Sequence, residues 1–111
     1  MLRVCAVQYL NTAPLVWGML HGPQRGRFDL SFETPSKCAD AVAAGAADIG
    51  IIPSIELERQ DLTIVPGLGI ASVGAVRSIL LISKAPASEI RILAADVSSR
   101  TSVALSRIIL A

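Results

Sequence analysis

Val4-Cys5-Ala6-Val7 is an unbroken apolar run inside Arg3–Gln8. Such a run predicts a strand covered on both faces, as in the middle of a parallel sheet. The period then changes. Tyr9-Leu10-Asn11-Thr12-Ala13-Pro14 offers two cap residues, Asn11 and Thr12, and a proline that a first helical turn tolerates. A short helix is expected from about Pro14 to Met19, ending before Gly22-Pro23. Asp29–Glu33 alternates in character and reads as a second strand. Thr34-Pro35-Ser36 is another cap-plus-proline start, and the helix Ser36–Ala44 gathers Cys38, Ala41, Val42 and Ala44 mostly on one side. Gly45 is its natural terminator. Asp48–Ile52 is expected as a third buried strand halted by Pro53, with Ser54–Glu58 as a short helical turn.

After Asp61 the spacing shortens. Leu62–Val65, Ile70–Val73, Ser78–Ser83 and Arg91–Ala95 read as strands, separated by Pro66-Gly67, Gly69 and Gly74. Asp96-Val97-Ser98-Ser99 leads into a helix from about Arg100 to the end. That helix closes on Ile108-Ile109-Leu110-Ala111 without Gly, Asn or Pro, and its apolar side needs packing that the remaining residues hardly provide. The expectation is of a chain cut short. No internal repeat or low-complexity tract is present.

Composition narrows the classes. With 111 residues there is room for one domain, and 52% apolar residues with a formal charge of +1 describe a chain able to build a core. Basic residues are scattered and aromatic residues few, so a nucleic-acid groove is not expected. Cys5 and Cys38 make no CxxC pair and have no ligand cluster nearby, so neither zinc nor a disulfide framework is indicated; both read as small buried hydrophobes. The start lacks a secretory signal, and no stretch reaches the ~20 apolar residues of a membrane helix. A soluble, cytoplasmic protein without membrane contact is expected.

Three loops share one device, a hydroxyl or amide side chain opening a helix just beyond a strand. They are Asn11-Thr12, Pro53-Ser54 and Ser98-Ser99-Arg100-Thr101-Ser102. Helix N-termini attract anions by roughly 0.3–1 kcal/mol when exposed and ~2 when partly buried, and ligands of open α/β sheets gather at the carboxyl ends of strands. Each such residue also has a plainer role as a cap. The Ser98–Ser102 stretch exceeds what a cap needs, because four hydroxyls accompany an arginine able to grip a carboxylate. Ser72, Gly74, Arg77 and Ser78 form a second polar group, equally readable as an ordinary turn. Glu56 either faces a cleft or serves the dipole of its turn. His21 has no partner. No GxGxxG, P-loop, GxSxG or HExxH motif occurs.

Four ordered segments resemble one family, the bacterial chorismate dehydratases of the futalosine route to menaquinone. Tyr9-Leu10-Asn11-Thr12-Ala13-Pro14-Leu15 is similar to its YLNTxPL signature. Asp48-Ile49-Gly50-Ile51-Ile52-Pro53-Ser54-Ile55-Glu56 matches its second segment, and Ser72–Ile79 its S-x-G-P-V-x-S-V stretch, with Ala75 where proline is usual. Ser99-Arg100-Thr101-Ser102 resembles its SRTS helix start. The sister 1,4-dihydroxy-6-naphthoate synthases carry a CPND-type first segment, where this chain reads Leu10-Asn11-Thr12. A non-catalytic small-carboxylate-binding protein of the same fold is the other alternative.

The resemblance implies an α/β fold, the first lobe of a type II periplasmic-binding-protein-like two-lobed fold. Residues 1–95 would form that lobe, and 96–111 the crossover and first helix of a mostly missing second one. It implies a hydro-lyase that takes chorismate to 3-[(1-carboxyvinyl)oxy]benzoate with no metal or organic cofactor. Asn11 would be the catalytic contact, with Thr12, Ser54, Ser72, Ser78, Ser99, Arg100, Thr101 and Ser102 binding substrate. Weak or absent activity is expected of this length of chain alone, and self-association through the exposed C-terminal helix is the partner expectation besides chorismate.

Overall fold

The computed structural model describes residues 1–111. Strand β1 (Leu2–Val7) leads through a single 3-10 turn (Leu10–Thr12) into helix α1 (Ala13–Leu20). Strand β2 (Phe28–Glu33), helix α2 (Pro35–Ala43) and the short strand β3 (Ile49–Gly50) follow, and after them a 3-10 turn over Ser54–Glu58. The last helix, α3, spans Arg100–Ile109. The three strands form one parallel sheet in the order β2-β1-β3. This is a small α/β domain in which strands alternate with helices.

The order explains why Val4-Cys5-Ala6-Val7 is apolar throughout. β1 is the central strand, pairing from Leu2 opposite Phe28 to Val7 opposite Glu33 on one side and with Ile49 and Gly50 on the other. All four residues are buried. β2, with one neighbour only, keeps an alternating and half-exposed pattern. β3 is shorter than its apolar run suggests, yet backbone bonds from Asp48 N to Arg3 O and from Ile51 N to Cys5 O carry the pairing one residue beyond each end.

α2 begins where expected, with Thr34 extended before it and Pro35 at its first turn. Gly45 ends it at a φ of +66°, and the Gly45, Ala46 and Ala47 amides return to Val42 and Ala41 carbonyls. A side chain at Gly45 would strain that left-handed turn. The core lies between α2 and the sheet, where Cys5, Val7, Cys38 and Ala47 cluster with Ala41, Val42, Ile51 and Ile52 around them. The two cysteines are free thiols, Sγ to Sγ 3.1 Å apart. Burial, then the Cys5 bond, pushes the Cys38 thiol up to about 12, so it stays a protonated core residue near neutral pH. Gly50 lets β3 approach α2: a Cβ there would stand 2.6 Å from Val42 Cγ2.

The stretch 61–99 departs from expectation. None of the four strands foreseen at 62–65, 70–73, 78–83 and 91–95 forms a ladder, and apart from a 3-10 turn at Ala87–Glu89 there is no regular element there. A strand is stable only against a neighbour that takes up its N–H and C=O groups, and the sheet offers these runs none. Most of their apolar side chains are exposed as a result. No helix is long and apolar enough to cross a membrane.

Candidate functional site

The carboxyl end of the central strand delivers the chain into the first polar turn. Asn11 lies on its exposed side, while Thr12 is wholly buried immediately before the first residue of α1. The Thr12 hydroxyl makes no capping bond and has no hydrogen-bond partner in the protein. A buried hydroxyl left so is unfavourable, and rare in native proteins unless water or a ligand completes it. Beside this turn is an open apolar hollow lined by Val7, Tyr9, Leu10, Ala13, Val16 and Phe32. Apolar walls with a few polar groups at the rim suit a small organic ligand.

A second centre lies where the Ser54–Glu58 turn meets α3. Glu56, 1% exposed, receives Arg59 Nη1 and Arg100 Nη1, each at 3.0 Å, on one carboxylate oxygen, and Gln60 Nε2 at 2.7 Å on the other. Arg100 Nη2 reaches Asp40 Oδ1 of α2 at 2.7 Å, and the Ile55 amide donates to Thr101 Oγ1 at 3.3 Å. The arginine therefore ties α3 to both the turn and α2. Burial pushes the Glu56 carboxyl up, but the bonds from Gln60 and Arg100 with the charges of both arginines outweigh it, so it ends below the usual carboxylate range. Hydrogen bonds to Asp40 and Glu56 raise Arg100 above its ordinary value. Two carboxylates face two guanidinium groups, which leaves the cluster near neutral.

The other sequence-predicted residues are dispersed. Ser54 is exposed at the start of its turn, which has no side-chain cap. Ser99 precedes α3 and donates to Ser102 Oγ at 2.8 Å instead of capping the helix. Ser98 folds back on Asp96 through its amide and hydroxyl. Ser72, exposed, donates to the Gly74 carbonyl at 3.1 Å, and Ser78 is exposed on the ladder-free stretch. The fold thus joins the Ser54–Glu56 and Arg100–Thr101 segments. Asn11 and Thr12 line neither hollow: the one beside their turn is lined by their neighbours Tyr9, Leu10 and Ala13, and the one that Arg100 lines is formed by Ile55, Arg59, Val97, Val103 and Arg107.

Glu56 is the residue whose importance the sequence understated. Its signal was the spacing: Arg59 and Gln60 follow at i+3 and i+4, the positions that meet across one helical turn. Its long-range partners were not foreseeable, because Arg100 is 44 residues away. No group of three or more His, Cys, Asp and Glu residues stands close enough to hold a metal ion.

No solved structure matches the chain. One family model, described as menaquinone biosynthesis, matches residues 2–111. The chain therefore belongs to the menaquinone biosynthesis family.

Proposed function

We propose that this chain binds chorismate and takes part in its dehydration to 3-[(1-carboxyvinyl)oxy]benzoate, with Asn11 as the contact nearest the reacting ring. The observation that carries the reading is the Asn11-Thr12 turn. At the carboxyl end of the central strand it combines an exposed amide, a buried hydroxyl with no partner and the start of α1, beside an apolar hollow. Family membership across residues 2–111 supports the pathway, and the Leu10-Asn11-Thr12 sequence favours this member of it over the naphthoate synthase.

Elimination removes a ring proton and expels the neighbouring hydroxyl as water, leaving an aromatic ring. Charge develops on the ring carboxylate as the proton leaves, and hydrogen-bond donors fixed at that position lower the barrier. The Asn11 amide is a donor of this kind. The Ser99–Ser102 segment lines a separate hollow, so it would take the substrate's second carboxylate only in an arrangement that brings the two hollows together. There Arg100 retains Glu56, which is buried, and hands Nη2 from Asp40 to the substrate. That exchange is inexpensive, because the Asp40 side chain is 63% exposed and surface pairs contribute only about 0–1 kcal/mol. Ser72 and Ser78 would join the site once the stretch that bears them is ordered over it. In this reading residues 1–95 act as one lobe of a two-lobed fold of the periplasmic-binding-protein type, and residues 96–111 as the crossover towards a second.

The test is incubation with chorismate, with binding followed by calorimetry and turnover by new aromatic absorbance confirmed by mass spectrometry. Chorismate-dependent heat or product is expected, and Asn11→Ala should lower turnover by about a hundredfold or more, the scale of losing one transition-state donor, without altering the circular dichroism. A chain that neither binds nor converts chorismate refutes the proposal; near-normal turnover by Asn11→Ala removes that residue from the mechanism.

A further inference from the structure

The core holds two sulfur nucleophiles that the candidate site leaves unused. Cys5 lies in the middle of β1, between Ser31 of β2 and Gly50 of β3. Cys38 lies in the first turn of α2, where its amide donates to the Thr34 carbonyl. Both are buried, and their sulfurs stand 3.1 Å apart. That is inside the about 3.5–4.0 Å at which even carbon atoms settle. A disulfide bond is about 2.05 Å long, so about 1 Å of approach separates this contact from a bond. The Cys38 thiol also points at the Ala6 carbonyl of β1, at 3.4 Å. Thiols that served only as small apolar fillers would have no reason to face each other, with Val7 and Ala47 in the same cluster.

We propose that Cys5 and Cys38 are a redox-active pair, which a small disulfide oxidant converts to a cystine joining the central strand to α2. One thiol, as its thiolate, attacks the S–S bond of the oxidant, forming a mixed disulfide and releasing one small thiol. The other then attacks the protein sulfur of that mixed disulfide, so the Cys5–Cys38 bond forms and the second small thiol leaves. The protein gives up two electrons and two protons, and the oxidant becomes two thiols.

Burial sets the pace of this exchange. Neither sulfur meets the oxidant while α2 rests on the sheet, and burial also holds the Cys38 thiol in its protonated form. The reaction therefore runs through a locally opened state in which α2 has lifted, and its rate follows that opening. Once the bond is made, the same packing shields it from reductants. The consequence reaches the Glu56 centre, because α2 carries two of its anchors. The Ala39 carbonyl accepts from Gln60 Nε2 at 3.3 Å, and Asp40 Oδ1 accepts from Arg100 Nη2 at 2.7 Å. Joining Cys38 to β1 fixes the base of that centre to the sheet.

The test incubates the reduced full chain with excess oxidised glutathione in urea kept below the unfolding transition, then alkylates the remaining thiols. The expected product has lost two hydrogens in intact mass, retains no glutathione, links the Cys5 peptide to the Cys38 peptide in a digest and keeps its circular dichroism. Oxidation should quicken as urea rises towards the transition. Joining residues 33 positions apart should raise the folding constant about a hundredfold, read as a higher urea midpoint that dithiothreitol returns to the reduced value. Cys5→Ala and Cys38→Ala should each take up one glutathione and show no such rise. Thiols that stay reduced throughout overturn the proposal, as do two glutathiones retained per chain or bonds between chains. So does an internal bond that leaves the midpoint unchanged or lowered, since such a bond does not fit the native contact.

Discussion

Replacing Arg100 by alanine tests how the last helix is held. The arginine makes two charge-assisted bonds of different worth. The one to Asp40, on a side chain 63% exposed, contributes about 0–1 kcal/mol. The one to Glu56, on a side chain 1% exposed, contributes about 1.5–3 kcal/mol. Stranding a buried carboxylate altogether would cost about 3–5 kcal/mol, but Arg59 at 3.0 Å and Gln60 at 2.7 Å remain on Glu56. The expected loss for Arg100→Ala is therefore about 2–3 kcal/mol, and below about 1 kcal/mol for Asp40→Ala. Glu56→Ala should cost at least as much as Arg100→Ala, since it removes the hub of all three bonds, although the freed arginines can reach water. With ten of 111 residues buried, total stability belongs at the low end of the about 5–15 kcal/mol usual for domains, so these losses are large fractions. Urea titration followed by circular dichroism and by the fluorescence of Trp17, the single tryptophan, measures them. If Arg100→Ala is no more costly than Asp40→Ala, the buried pair does not hold α3, and the account of that centre is wrong.

Two further outcomes follow from the packing and the charges. Gly50→Ala should destabilise by about 1–3 kcal/mol, because its Cβ would meet Val42 Cγ2 at 2.6 Å and Ile52 Cγ2 at 3.0 Å; Gly50→Ala with Val42→Ala should recover part of that loss, and failure to recover any would show that the backbone and not the contact demands glycine. Hydrogen bonds from the Arg3 side chain and amide lower the Asp48 carboxyl to about 2. A depressed carboxyl contributes stability that is complete above its unfolded value near ~3.9 and disappears as pH falls through about 2. Arg3→Met should therefore flatten the fall in urea midpoint between pH 4 and pH 2, and an unchanged slope would remove this pair from acid unfolding.

Much of the domain could be read from local pattern, and the reasons are particular. The run Val4–Val7 is apolar at every position because a central strand has no solvent side, and that is visible without knowing its neighbours. The Thr34-Pro35 start and Gly45 stop of α2 are conformational requirements of single residues. The Asn11-Thr12 turn was legible as a helix opening, and the four motifs were legible as a family resemblance, of which membership in the menaquinone biosynthesis family is the part established.

Other features were decided between distant parts of the chain. The sequence could mark 62–65, 70–73, 78–83 and 91–95 as suited to strands, but a strand exists only when another chain segment accepts its hydrogen bonds, and the sheet closes at β2 and β3 without them. Ser99 has the chemistry of a cap, yet its hydroxyl is taken by Ser102. Arg100 was readable as a cation, whereas its engagement by Glu56 and Asp40 depends on which elements the fold brings together. What the sequence determined by itself were properties of one residue and its near neighbours, such as backbone preference, periodicity and end signals. Pairing, ion partners and which polar groups stay buried without a partner were set by tertiary structure, because each depends on two groups that only folding places side by side.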